Sequence, residues 1–314
     1  MNRFSDKPVA YISLLMAMAI WASSFIALKM AFRSYDPMVV IFGRMLVASL
    51  CFLPILPYLL KEVRFRSSDV KSILLMAICE PCLYFLFEAK ALELTTASQA
   101  GMITALLPAL VAVCARLAFN ERLPAIAYAG FGLAMIGACW LSLSGRPEPS
   151  APNPILGNFL EFIAMVFATG YIINLKRLTF RYPPLFLTAL QAFIGSLFYF
   201  PFLFLPSTSI PVGVDAVPTA AVIYLGAVVT LGAYGMYNFG VSRIPVSRAS
   251  AFVNLIPVFT LIMGRVVLGE HFSFQQYMAS ALVLAGITVS QMELRRSRID
   301  GGEMAAPPKD ECGP

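Results

Sequence analysis

The residues able to do chemistry are few and sit in unusual surroundings. Glu80, Tyr84 and Glu88 recur every four positions, a spacing that puts all three on one face of a helix. Tyr234, Tyr237 and Asn238 form a similar polar stripe later in the chain, and Glu161, Asn174, Gln191 and Asn254 stand alone in otherwise apolar stretches. Carboxylates set among apolar residues bind cations or carry protons, and a buried one costs several kcal/mol unless it is protonated, paired or hydrated. Glu80 and Glu161 therefore read as cavity-facing groups. The tyrosines and asparagines fit a cavity wall and interhelical hydrogen bonding equally well. Trp21 either packs or lines a substrate path. Arg44 needs a carboxylate or carbonyl partner, and Glu88 is the candidate.

Other chemistries lack their residues. The six aspartates all lie in tails, loops or helix edges, so an aspartyl protease within the bilayer is not encoded. There is no H-E-x-x-H, no G-x-S-x-G and no phosphate-binding glycine loop. One histidine, His271, cannot make a His-based metal site, and Cys79-Glu80-Pro81-Cys82 lacks the βαβ setting that gives C-x-x-C its redox meaning. No metal or cofactor is expected.

The elements carrying these residues follow from composition. Of 314 residues, 59% are hydrophobic and 13% charged, about half the charge of a soluble domain, where roughly 25% is usual. Such a chain cannot cover itself with water-facing side chains. It partners a lipid bilayer and not nucleic acid. Ten apolar runs are long enough to span one: Val9–Phe32, Pro37–Leu60, Val70–Leu92, Ala97–Phe119, Pro124–Leu143, Ile155–Leu178, Pro184–Leu205, Val217–Val241, Val246–Leu268 and Phe274–Met292. With the N-terminus inside, seventeen Lys and Arg fall on the cytoplasmic side and five outside, which places both termini in the cytoplasm. The net charge of +6 needs no polyanion to explain it.

The chain also repeats itself. Ala97-Ser98-Gln99-Ala100 leads to Pro108 and then Glu121; Val246-Ser247-Arg248-Ala249 leads to Pro257 and Glu270 with the same spacing. At that offset of 149, Arg116 falls on Arg265, Tyr128 on Tyr277 and Gly137 on Gly286. At an offset of 147, Lys29 falls on Lys176, Pro37 on Pro184 and Pro54 on Pro201. Ordered matches of this kind imply duplication. The first copy is 9–143, a proline-rich linker is 144–154, the second copy is 155–292, and 293–314 reads as a disordered cytoplasmic tail. Five helices per copy is an odd number, so the copies enter the membrane inverted, as in secondary transporters. The fold class is all-α integral membrane, ten transmembrane helices in two inverted five-helix repeats.

Trp21-Ala22-Ser23-Ser24-Phe25 with Lys29, then Arg44, then Ser98 through Pro108 to Asn120-Glu121-Arg122-Leu123, echoed by Ser247 through Pro257 to Gly269-Glu270, resembles the EamA-type branch of the drug/metabolite transporter superfamily. The resemblance covers about Val9–Met292. It implies export of a small metabolite, an amino acid or related compound, across the cytoplasmic membrane, bacterial by the family's abundance there, through a central cavity. Ala168, Thr169 and Gln191 in the second half replace Trp21, Ala22 and Arg44, so the halves have diverged.

The expected substrate- or proton-binding residues are Glu80, Tyr84, Glu88, Glu161, Tyr234, Tyr237, Asn238, Asn254 and Trp21. Pro108 and Pro257 are expected to bend their helices, either as gates or as static kinks. Glu121 and Glu270 read as boundary caps or ion pairs. Lys29 and Lys176 lie near opposite membrane faces, where long side chains snorkel. Protons are a candidate coupling ion, and pairing with a second copy stays open. At about 1.5 Å per residue from Val70, Glu80 lies roughly 15 Å deep, near the middle of a hydrocarbon core of about 30 Å. It would bind a cationic substrate group, carry the coupling proton, or stay a neutral packing residue. A non-transporting membrane scaffold or sensor is the rival class.

Overall fold

The computed structural model describes residues 6–61, 63, 65–119, 125–211 and 213–300. The described residues are overwhelmingly helical, and their only extended pairing is an isolated bridge between Glu148 and Ala151 in the connection between the halves. Among them, eight helices are long and apolar enough to cross a membrane: α1 (Pro8–Ala31), α3 (Ser67–Leu94), α4 (Ala97–Leu117), α5 (Ala125–Leu143), α6 (Pro154–Leu178), α7 (Pro184–Phe204), α8 (Ala216–Arg243) and α9 (Arg248–Leu268). A shorter apolar helix, α2 (Pro37–Phe52), and a helix α10 (Phe274–Asp300) are formed besides these eight.

Helix starts follow local chemistry. The Asp36 carboxylate accepts from the Met38 amide ahead of Pro37, the Thr96 hydroxyl from Gln99, and the Asn153 side chain from Leu156 ahead of Pro154. The sequence places the end of the second run at Leu60, but α2 stops at Phe52. Pro54 lacks the amide that would continue the ladder, and Leu56–Lys61 forms a separate short turn. Pro201 acts alike in the other half, where the α-helical part of α7 ends at Tyr199 and tightens over Phe200–Phe204. α9 ends at Gly269, whose φ of 71° is open to glycine at little cost.

Backbone irregularities recur at the repeat offsets. Wide π-type turns interrupt α3 at Ile78–Leu83 and α8 at Leu225–Ala233. Tight 3₁₀ turns interrupt α4 at Thr104–Leu106 and α9 at Phe252–Leu255, each just before the proline of its helix, Pro108 or Pro257.

The halves interlock. α1 packs on α8 and α9, while α6 packs on α3 and α4. α2 meets α7, where Ser49 and Ser196, equivalent by the offset of 147, share a hydrogen bond of 3.0 Å. α5 runs along α10 at close range: a side chain at Gly130 would strike the Gly286 carbonyl, and one at Gly137 would strike Val283. Small residues give this approach, as in membrane helix pairs generally. The main apolar core runs from Ala10 on α1 to Ile256 on α9, and a second lies between α4, α5 and α10.

Candidate functional site

Pro81 shapes the centre of the site. A residue before proline is pushed out of helical geometry, and Glu80 takes φ −151°, ψ 120°, extended backbone inside α3. The freed acceptors are met by α7: Gln191 Nε2 donates to the Glu80 carbonyl at 3.1 Å, and the Tyr199 hydroxyl lies against the carbonyls of Pro81, at 3.2 Å, and Cys82. The shared face expected of Glu80, Tyr84 and Glu88 is thus not one of continuous helix. All three still reach one cavity, because the wide turn re-aims Glu80.

That cavity is narrow and partly open to the exterior, with about 40 Å³ free for water-sized occupants in this state. Both halves wall it. Trp21, Ser24, Arg44, Glu80, Tyr84 and Glu88 come from the first; Ala168, Tyr171, Tyr234 and Val253 come from the second. The Tyr234 hydroxyl donates to Glu80 across the halves. The Tyr84 hydroxyl donates to Glu88 at 2.7 Å, one turn away on its own helix.

Arg44 is the fixed cation. Only 2% exposed, it lies 3.9 Å from the Glu88 carboxylate, as its sequence position suggested. Its Nε donates to Thr230 Oγ1 at 2.8 Å, and its guanidinium stacks 4.0 Å above the Phe85 ring. Thr230 in turn donates to the Leu225 carbonyl inside the wide turn of α8. Two carboxyl groups thus share the cavity with one arginine, and aromatic faces supply much of the remaining wall.

The other expected residues divide. Trp21 lines the cavity with its Nε1 buried and unpartnered, its ring 4.9 Å from that of Tyr234 and 4.7 Å from that of Tyr237. Tyr237 is fully buried behind Trp21, its hydroxyl also unpartnered. Asn238 does not reach the cavity wall; it accepts from the Tyr171 hydroxyl at 2.5 Å and donates to Thr188 at 2.9 Å. Asn254 lies beside the lining residue Val253 with its Oδ1 buried and unpartnered. Glu161 is fully buried outside the wall, and neither of its carboxyl oxygens has a partner.

Tyr171 and Thr230 were not expected. Tyr171 shows in the sequence only as one more aromatic in an apolar run, and Thr230 becomes relevant only once Arg44 is placed.

The ends of the bundle are held by polar contacts. At one end the Glu270 carboxylate accepts from the amides of Ala97 (2.8 Å) and Ser98 (2.9 Å), so it caps α4 and not its own helix. Lys29 donates there to the Ser150 carbonyl at 2.6 Å. At the other end Lys176 donates to the carbonyls of Val241 and Ile244, at 2.7 and 3.0 Å, and Arg181 pairs with Asp69 at 2.6 Å. The two lysines do lie at opposite ends, as expected, but each closes on backbone carbonyls and does not simply snorkel. Glu121 lies outside the described residues.

Apolar spans packed around a polar cavity that residues of both halves wall make a multi-pass membrane bundle. The chain belongs to the EamA-like transporter family, whose model matches residues 8–143 and 155–292, one match per half. It is similar to the uncharacterized transporter YetK of Bacillus subtilis, 25% identical over 290 residues that cover 91% of this chain and 88% of the relative. It is also similar to the "Probable terminal-alkyne amino-acid exporter" of Streptantibioticus cattleyicolor, 25% identical and covering 91% of this chain and 95% of that one. The "Probable amino-acid metabolite efflux pump" of Salmonella typhimurium is 26% identical over 57% of this chain and 62% of its own. A crystal structure 20% identical in sequence shares the fold, with a TM-score of 0.64 over 92% of this chain and 99% of the other.

Proposed function

We propose that the protein is a secondary active transporter of ten spans in two inverted five-helix repeats. It exports a small metabolite, an amino acid or related compound, across the cytoplasmic membrane of a bacterium, with both termini inside. The observation that carries this reading is the cavity itself: midway along the helices, walled by both halves, and holding Glu80 and Glu88 against the single Arg44. An inverted repeat around a central site lets one rocking motion expose that site to either side in turn.

In this reading Glu80 receives a cationic substrate group, with Tyr234 presenting its carboxyl, while Trp21, Tyr84 and Tyr171 pack on the apolar part. Glu88 and Arg44 hold each other and set the polarity of the wall. Tyr237, Asn238 and Asn254 support the wall from behind. The 3₁₀ turns before Pro108 and Pro257 are the matched places where α4 and α9 bend. The tied ends, with Glu270 on α4 and Arg181 on Asp69, are the contacts that must break to open one side or the other.

The export direction and the substrate class draw on the family and on the names of two relatives. The test is an untargeted comparison of metabolites inside and outside cells that lack or overproduce the protein. An amine-bearing metabolite retained without the protein and released with it supports the reading. Unchanged pools in both strains contradict it.

A further inference from the structure

Glu80 and Glu88 each hold a tyrosine hydroxyl; Glu161 holds nothing. Its level in the bundle follows from the packing of α6 on α3. Gly157 lies against Ala91 and Thr95, and Gly170 against Cys79, so the helices run antiparallel and Glu161 falls opposite Glu88. An ionised carboxylate left there without partners is costly enough that the group must be neutral or matched by a cation. A metal ion needs several oxygen ligands, and among the described residues no group of three or more acidic, histidine or cysteine side chains is placed to supply them. A proton needs one oxygen.

The neighbours of Glu161 leave it that role. From α3 it faces Glu88 and Tyr84, the two groups within electrostatic reach. α4 carries its one charge, Arg116, near its far end, and α5 carries none. Gln99 of α4 and Ser142 of α5 are neutral and bound to Asn158, one turn from Glu161. Arg44, on α2, is held by Glu88.

We propose that Glu161 is the proton-binding group of the transport cycle, distinct from the cavity carboxyl Glu80. Binding forms one O–H bond on a carboxylate oxygen and release breaks it; nothing is oxidised or reduced. With Glu161 neutral, Glu88 stays paired to Arg44. With Glu161 ionised, two anions face each other across the α3–α6 contact, and their repulsion disturbs the pair that Glu88 makes with Arg44. Because Arg44 also holds Thr230 in the wide turn of α8, the proton thereby biases a contact that joins the two halves. This inference rests on the transporter reading.

Infrared spectroscopy of the full-length protein in liposomes, from mildly acidic to mildly alkaline pH, reads protonated carboxyl groups and needs no substrate. The expected result is a band from a buried protonated carboxyl that fades reversibly as pH rises and is missing from Glu161→Gln. A band that persists at every pH, a titrating band that survives Glu161→Gln, or no such band overturns the proposal. Should Glu161→Gln fail to fold, Glu161→Asp is expected to keep a titrating band at a displaced frequency, and an unmoved band counts against the assignment. In the same liposomes, with labelled phenylalanine and arginine as probes, Glu161→Gln is expected to keep exchange without a gradient and to lose accumulation driven by a proton gradient. Retained accumulation overturns the proposal. Liposomes that move neither probe count against the transport reading, while the infrared result still decides on Glu161.

Discussion

Arg44 and Glu88 show what one buried charge demands of its surroundings. The guanidinium is held by a carboxylate, a hydroxyl and an aromatic face at once, so no single partner can be removed cheaply. Breaking a buried pair from one side costs about 3–5 kcal/mol, because the other charge is left uncompensated, whereas replacing both partners is often nearly neutral. Arg44→Met is therefore expected to lower thermal stability in detergent sharply, and Arg44→Met with Glu88→Gln to recover most of the loss. Equal stability of Arg44→Met and the wild type would refute the pairing. Glu80→Gln differs in kind. It keeps the contact with Tyr234 and removes only the charge, so folding should be intact. Hydrogen bonds to charged groups contribute about 1.5–3 kcal/mol, so loss of the charge should weaken binding of an amine-bearing substrate by about tenfold or more. Equilibrium binding of that substrate to the purified variant checks it.

At the scale of helices, tight packing follows from small residues. Gly137→Leu and Gly286→Leu would drive side chains into the backbone of the partner helix at the α5–α10 contact, and overpacking of this kind costs about 1–3 kcal/mol each. Gly132→Leu, on the same helix but facing open space, is the control and should change melting little. Similar melting for all three would remove the close contact from the account. Much of this level was legible in the sequence. Apolar runs give most helix boundaries because length and hydropathy fix them, and the offset of 149 already singles out Gly137 and Gly286. The end of α2 was not legible from hydropathy, since the run stays apolar past Pro54 and only the missing amide stops the helix. The site was legible in part. Glu80 and Glu88 announce themselves as lone carboxyls in apolar helices. Their partners do not: Tyr234 is 154 positions from Glu80, and Thr230 is 186 from Arg44. Such contacts exist only once the halves interlock, and single-helix periodicity carries no trace of them. The expectation of one continuous face on α3 failed at the residue before Pro81 for the same local reason that makes the site.

For the whole molecule, this state has both ends tied across the halves, by Glu270 on α4 and by Arg181 on Asp69. Loss of a helix cap costs about 0.5–2 kcal/mol, so Glu270→Ala should loosen one end without unfolding the bundle. In a background without native cysteines, Ser24→Cys in the cavity wall is then expected to react faster with a membrane-impermeant thiol reagent applied from that end. An unchanged rate would mean that the cap does not close the path. Whether the shared cavity moves solute is decided with purified protein in proteoliposomes, assayed for flux of a broad panel of amino acids and related metabolites with and without a proton gradient. Saturable flux of at least one amine-bearing compound is expected, weakened by Glu80→Gln. No flux of any compound under either condition, from protein shown to be folded, would contradict the transporter reading.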